Sequence, residues 1–567
     1  MFSNVKVKIP TIKGKIYRSV NKGIPYIQYE YDRVYFPDKK YNVPKRTTIG
    51  KQCEDDPEMM FPNSNLLKYL PDYEMPEALE DSVRSSCLHL GAYAVIKKII
   101  KDYKLDETLE EIIGKDSGLF LDLVAYSIVT ENNAAQYYPD YAYNHPLFTE
   151  EMKILSDSKI SKFLKEISVD QRVEFLNKWN ESRDHREKIY ISYDSTNKSC
   201  QAGDIDVAEF GYAKDGQDKP LINFSIAYDK NNCEPLFYED YPGSIVDVSQ
   251  LQNMLEKARG YGYKKAGFIL DRGYFSRENI RYMDKCNYDF IIMVKGKKKL
   301  VNELVLKKKG KFEDFRENAI SEYDVRGITV RSKLFPSDKS ERYFHIYFSD
   351  QKHATEATAF DAKINTMAEA LKKQQDKPVI IGKSFEKYFD IIYYHKGKED
   401  QLFSCGRELY DVTNKERSLC GYFVIISSKK MTAREALTLY KSRDASEKLF
   451  KTDKSYLGNK SIRVQSSEAL KTKIFIEFVA LIIRNKIYTN IKDEMIRVEK
   501  KANYMTVPAA LKELEKIEMI RRFNNSYTLD HAVTAKQKAI LKAFGMDIRH
   551  IKACADKVEG ALRLGRK

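Results

Sequence analysis

Apolar and polar positions alternate along residues 1–75, as in IPYIQYEYDRVYF, between basic turns such as PDKK and NVPKR, which predicts a small β-rich unit. Over 76–184 the period changes. SSCLHLGAYAVIKKIIKDY and SGLFLDLVAYSIVTENNA space their apolar residues three and four apart after serines suited to helix caps, and a helical domain is expected there. Strand-like runs return in KIYISYDST, in FGYAKD and in PLINFSIAYDKNNCEPLFYEDYPG. An amphipathic helix (VSQLQNMLEKARGYG), a buried strand (AGFILD), a helix with Ser276 at its cap and a strand (YDFIIMVKG) follow. Between 300 and 420 this rhythm stops. The pieces GITVRSKLF, RYFHIYFS and YFDIIYYHK, with one helical stretch near AFDAKINTMAEALKKQQ, predict a β-rich insertion. GYFVIISS resumes the earlier block, Thr432 caps the helix AREALTLYKSRDASEKLFK, and EALKTKIFIEFVALIIRNKIYTNI reads as a buried helix. Pro508 opens a final basic helical region.

Three strands, a helix, a strand, a helix and a strand are the order of a ribonuclease-H-like fold. The expected class is therefore α/β: a core over 185–299 and 421–496, interrupted by the β-rich insertion 300–420. An N-terminal β-rich unit (1–75), a helical domain (76–184) and a helical C-terminal region (497–567) complete the chain. In that order one acid falls on the first strand and another at the end of the fourth. Asp194 and Asp271 stand at those places.

Composition narrows the partners. The chain of 567 residues is several times the ~150 of a typical domain. Its 97 Lys and Arg outweigh 82 Asp and Glu by +15, which points to a polyanion, and most readily to nucleic acid. Tyr26, Tyr29, Tyr31, Tyr35 and Tyr41, interleaved with Lys39, Lys40, Lys45 and Arg46, suit either a grip on a DNA backbone or an aromatic mini-core with a solvated rim. KGKKKL (295–300) and KKKGK (307–311) suit either a DNA track or a solvated loop. The eight cysteines include no CxxC pair and read as reduced thiols, and the eight histidines have no metal or triad spacing. The N-terminus lacks the apolar core of a signal peptide. The most apolar run, Ile474 to Ile483, is interrupted by Glu477 and falls short of the ~20 residues of a spanning helix, so a cytoplasmic protein without membrane contact is expected.

The candidate chemistry centres on a third acid. Steps of three, four and seven residues at about 100° each put Tyr440, Arg443, Glu447 and Lys454 on one stripe of a single helix, framing Glu447 with groups that suit phosphate. A helical Glu among basic residues is by itself usually a solvated face, and Asp before Gly, as in Asp271-Arg-Gly273, is usually a turn. The conjunction is more specific. Two carboxylates on adjacent strands and one on a facing helix can hold two Mg²⁺, with Mn²⁺ as a substitute, for phosphodiester chemistry. A HAD-type phosphatase, with Asp194 as nucleophile, fits poorly: its motif wants Asp-x-Asp-x-Thr, whereas Ser192 stands two before Asp194 and Thr196 two after it.

YDST at Asp194, LDRGYFS at Asp271 and Tyr-x2-Arg-x3-Glu-x6-Lys at 440–454 resemble the DDE transposases of bacterial insertion sequences, in the class with the Tyr-Arg-Glu-Lys signature. The resemblance spans about 185–490 and includes an insertion between the second Asp and the Glu. It implies that Asp194, Asp271 and Glu447 ligate the metal ions, while Tyr440, Arg443 and Lys454 contact phosphates of the element's ends. Arg272 either adds positive charge beside a ligand or points to solvent. The implied partners are double-stranded DNA and a second copy of the chain, with no nucleotide cofactor. In this class the freed 3′-hydroxyl can form a hairpin with a flipped base stacked on an aromatic of the insertion. This insertion has no Trp, so the stacking partner would be Tyr or Phe. The alternative is a retired transposase that binds DNA and no longer cuts it.

Overall fold

The computed structural model describes residues 6–21, 23–37, 40–75, 84–183, 188–200, 205–211, 219–295, 298–396, 400–458, 460–500, 504–522 and 525–564. The chain divides into two compact units. One comprises 1–172, 455–459 and 468–567, the other 173–454 and 460–467.

In the first unit, five antiparallel strands run in the order Val7–Lys8, Met59–Pro62, Tyr41–Gln52, Ile24–Phe36 and Ile16–Asn21. Alternation turns Val7, Ile27, Tyr29, Ile49 and Met60 into one small core with Leu66. The aromatic and basic positions expected here divide between the two readings. Tyr29 is buried, Arg46 lies over the Tyr17 ring and pairs with Glu30 at 3.1 Å, while Tyr31, Tyr35 and Tyr41 are exposed. Lys39 lies outside the described residues.

The remainder of this unit is mainly helical. Its longest helix, Ser467–Arg497, is buried on most sides of its first half, which is why its sequence reads as nearly continuous apolar residues. Phe475 packs against Phe120 at 4.7 Å between ring centroids, and the buried Arg484 donates to the Ile128 carbonyl and pairs with Glu131. A three-stranded sheet orders Tyr527–Leu529, Glu518–Arg521 and Cys87–His89, so residues from the separately expected helical and C-terminal regions share one sheet. All eight cysteines are free thiols. Among the described residues no helix is long and apolar enough to cross a membrane.

The second unit is a mixed α/β body built on a ten-stranded sheet. Ile189–Cys200, Leu221–Asp229 and Glu234–Pro242 form an antiparallel meander. The helix Asp247–Gly260 leads to Ala266–Leu270, parallel to Ile189–Cys200, and the helix Arg277–Lys285 leads to Asp289–Met293, parallel again. From the helix Asp247–Gly260 onward that succession is the one read from the sequence, with Ser276 capping the second helix through Asn279 N–H. The strand expected at 210–215 lies largely outside the described residues.

The stretch 300–420 departs from a self-contained insertion. Ala319–Ile320, Val325–Ser332 and Arg342–Phe348 continue the large sheet, because Arg342–Phe348 pairs with Tyr422–Ser427, which in turn pairs with Asp289–Met293. Only the later part, with helix Asp350–Lys372 and hairpin Phe389–Lys396/Asp400–Glu408, keeps a core of its own around Ile364, Leu371, Tyr388 and Phe403. A hairpin with one apolar face gains more burial by extending an existing sheet edge than by standing alone.

Candidate active site

Strand register sets the two aspartates. Leu270 is paired with Tyr193 across parallel strands, so Asp271 and Asp194, each the next residue, stand abreast on strands ~4.8 Å apart. Asp194 lies within its strand, opposite Ile226, and its Oδ1 accepts from the Ser195 N–H at 2.8 Å. Asp271 is the first residue beyond its strand. It precedes a 3₁₀ turn, Arg272–Tyr274, seated by the buried Tyr274 ring against Tyr193 at 5.4 Å between centroids.

Glu447 arrives on a broken helix. Thr432 and Glu435 form a reciprocal cap for Ala433–Lys441, whose apolar face, with Ala436, Leu437 and Tyr440, packs on Ile269, Ile291 and Ile425 of the sheet. The expected single stripe from Tyr440 to Lys454 does not survive intact. Ser442 Oγ donates to the Leu439 carbonyl, and i→i+3 bonds from Arg443 to Tyr440 and from Ser446 to Arg443 tighten the backbone, so the helix restarts at Asp444–Lys451. A π-helical turn, Thr452–Tyr456, then carries Lys454.

The tightened turn aims Arg443 at all three acids. Its Nη1 donates to Asp194 Oδ2 at 3.1 Å, and its Nη2 lies 2.6 Å from Glu447 Oε1 and 3.8 Å from Asp271 Oδ1. Asp271 and Glu447 thus share one nitrogen, and their oxygens are no further apart than those two distances together. Burial works against the guanidinium charge, but Asp194, Asp271, Tyr440 and Glu447 outweigh it and hold the Arg443 pKa above its ordinary value. Its Nε is buried without a hydrogen-bond partner. The Tyr440 hydroxyl donates to Asp271 Oδ1 at 3.4 Å, and burial, reinforced by that carboxylate, raises the phenol pKa far out of the neutral range.

An all-carboxylate donor set on a strand, at the end of its neighbour and on a helix suits a hard divalent cation. As they stand, however, the three acids face the guanidinium, and among the described residues no three acid, His or Cys side chains are arranged to hold a metal ion. Glu447 has the most freedom to close on the aspartates, with its side chain 53% exposed against 14% for Asp194. Arg272 is exposed beside Asp271, and its charge is felt by Tyr440. Lys454 is half-buried, one residue beyond the fully buried Asp453.

Two supports went unread in the sequence. Ser446, fully buried, donates to Ser192 at 2.8 Å and docks the Glu447 helix on the Asp194 strand. Lys198, on that strand, forms an ion pair with Asp453 in which both side chains are 0% exposed. The even-numbered face of the strand was the available signal for both, since Ser192, Asp194 and Lys198 lie on it together.

Residues 190–483, more than half of the chain, match the family described as the transposase DDE domain. The chain belongs to this family. Transposases with this domain generally use divalent metal ions, in keeping with the oxygen-rich site. No curated protein matches the sequence. Among solved structures, this DDE-domain chain is similar to a piggyBac transposase in a synaptic complex with hairpin DNA, with a TM-score of 0.34 and 8% identity over 83% of this chain and 82% of that one. A likeness that distant does not discriminate between functions.

Proposed function

We propose that this member of the family is an active DNA transposase with a ribonuclease-H-like core, of the insertion-sequence class with the Tyr-Arg-Glu-Lys signature. It cleaves phosphodiester bonds at the terminal inverted repeats of its element and transfers the 3′ ends to target DNA. The observation that carries the reading is the convergence of Asp194, Asp271 and Glu447, distant in sequence, on one guanidinium within a matched DDE domain. Divalent ions, two Mg²⁺ per site with Mn²⁺ as a substitute, would be held by these three carboxylates and would supply an activated water or 3′-hydroxyl and a stabilised leaving oxygen.

The chain's own groups do the rest. Asp194 and Asp271 keep fixed places because the sheet holds their backbones, while Glu447 sits on a helix whose side chain is free to move. Arg443 offsets part of the charge of the acids in the free protein and offers its planar fork to phosphate when DNA enters. The Tyr440 hydroxyl, held protonated, donates rather than accepts. Lys454 and Arg272 add charge along the backbone of the DNA end. An element has two ends and each chain one such site, so we take the working unit to be a dimer assembled on DNA.

The test is cleavage of duplexes carrying the element's own ends, with Mg²⁺, by wild type and by Asp194→Asn, Asp271→Asn and Glu447→Gln. Wild type should cut, and each variant should lose at least about a thousandfold in rate while still binding the ends, since each removes a ligand from transition-state stabilisation. Binding without cutting by the wild type would make the retired transposase the correct reading.

A further inference from the structure

The buried Lys198–Asp453 pair is an expensive feature. Both side chains are wholly withdrawn from water, 255 residues apart in sequence, and such pairs rarely repay their desolvation as stability. Its location offers another reason for it. Along one face of the strand Ile189–Cys200, Ser192 is tied to Ser446, Asp194 to Arg443 and Lys198 to Asp453, so the pair continues a row of attachments between this strand and the segment 443–453. It falls where the helix Asp444–Lys451 gives way to the π-helical turn Thr452–Tyr456, an irregularity that recurs at functional sites.

We propose that Lys198 and Asp453 are a positioning pair that fixes this turn and thereby sets the place of Lys454 for a DNA phosphate. The proposal rests on the transposase reading above. Asp453 points into the core toward Lys198, so its neighbour Lys454 is rotated by roughly a quarter turn to a half-buried place at the edge. Lys198 is confined on the other side by the Phe224 ring, whose centroid is 4.4 Å from its ammonium. Phe224 also meets Phe450 edge-on at 6.4 Å, which locks the same helix end. Burial brings the Lys198 pKa down to about 8, Asp453 opposes that fall, and the charge of Lys454 adds to it, so the three groups sit close enough to feel one another. Asp453 balances the charge of Lys198 inside the core, and the turn that carries both Asp453 and Lys454 is held by that pair.

A merely structural pair can be replaced by apolar side chains without functional cost. We would therefore compare Lys198→Met/Asp453→Leu with Lys454→Ala and with the triple variant. The readouts are melting temperature and affinity for a duplex carrying the terminal repeat across a series of salt concentrations. The double variant should keep its melting temperature and lose affinity about tenfold, the equivalent of one charge-assisted contact. Its log–log salt slope should become shallower by about 0.9, as for one released counterion. Lys454→Ala should do the same, and the triple variant should lose no more than either.

Wild-type affinity and slope in a folded double variant, or additive losses in the triple, overturn the proposal and leave the transposase reading standing. Absence of DNA binding by the wild type would instead sink that reading. Should the double variant not fold, Asp453→Glu keeps both charges and lengthens the link by one methylene. It should weaken binding several-fold at unchanged melting temperature, and wild-type binding by it also overturns the proposal.

Discussion

Replacing Arg443 by Met removes the cation between three carboxylates while keeping a long side chain with good helix propensity. At an effective dielectric constant of ~20, one ion pair at the 3.1 Å separation from Asp194 is worth about 5 kcal/mol before desolvation. The side chain of Arg443 is only 16% exposed, so its desolvation takes back a good part of that. Asp271 and Glu447, at 35% and 53% exposure, add little after solvent screening. The net loss is about 2–4 kcal/mol, or about 3–7 °C in melting temperature for a unit of this size. A divalent cation would have to displace the guanidinium in the wild type and would meet no rival in the variant. Thermal melts with and without millimolar Mg²⁺ should therefore show a larger Mg²⁺-induced rise for Arg443→Met than for wild type. Equal rises in the two proteins, or a variant as stable as wild type without Mg²⁺, would refute the assignment of Arg443 as the counter-charge of the acids.

Two more outcomes follow from buried polar groups in the same unit. Burial lowers the His345 pKa to about 4, with the ring bonded to Thr329 and Ser427, both at 2.9 Å. The unfolded ring takes a proton near pH ~6.5 and the folded ring does not. Its contribution is therefore fully present above that pH and is lost as pH falls toward 4, by up to about 3 kcal/mol. Melting temperature between about pH 7 and about pH 4.5 should accordingly fall less steeply in His345→Gln than in wild type, and parallel curves would contradict the burial argument. Ser446→Ala strands the fully buried Ser192 hydroxyl and should cost about 1–2 kcal/mol in urea denaturation. Ser192→Ala/Ser446→Ala should cost less than the two single losses together, and strict additivity would show that the two hydroxyls are not coupled.

Much of the second unit was legible because its signals are local. The helix, strand, helix, strand succession after the meander follows from alternation and caps, and Ser276 and Thr432 cap the helices expected of them. The stripe from Tyr440 to Lys454 was legible as residue types and wrong as geometry, because Ser442 and the π-helical turn change the rotation per residue. No pattern of period 3.6 records such changes. The insertion was misjudged at its near end for a different reason: alternation identifies a strand but not its neighbour, and Val325–Ser332 and Arg342–Phe348 found theirs in the central sheet.

By itself the sequence determined where most strands and helices lie, that Asp194 falls on one strand and Asp271 at the end of another, and a charge balance suited to DNA. Tertiary structure alone decided that Arg443 would face the acids it follows in the chain, that Ser446 would reach Ser192, and that Lys198 would be buried against Asp453. The physical reason is range. Periodicity and capping are set by neighbours a few residues away, whereas the environment of a charge depends on what the fold brings beside it, and a lysine bound for the interior is written with the same letter as one bound for water.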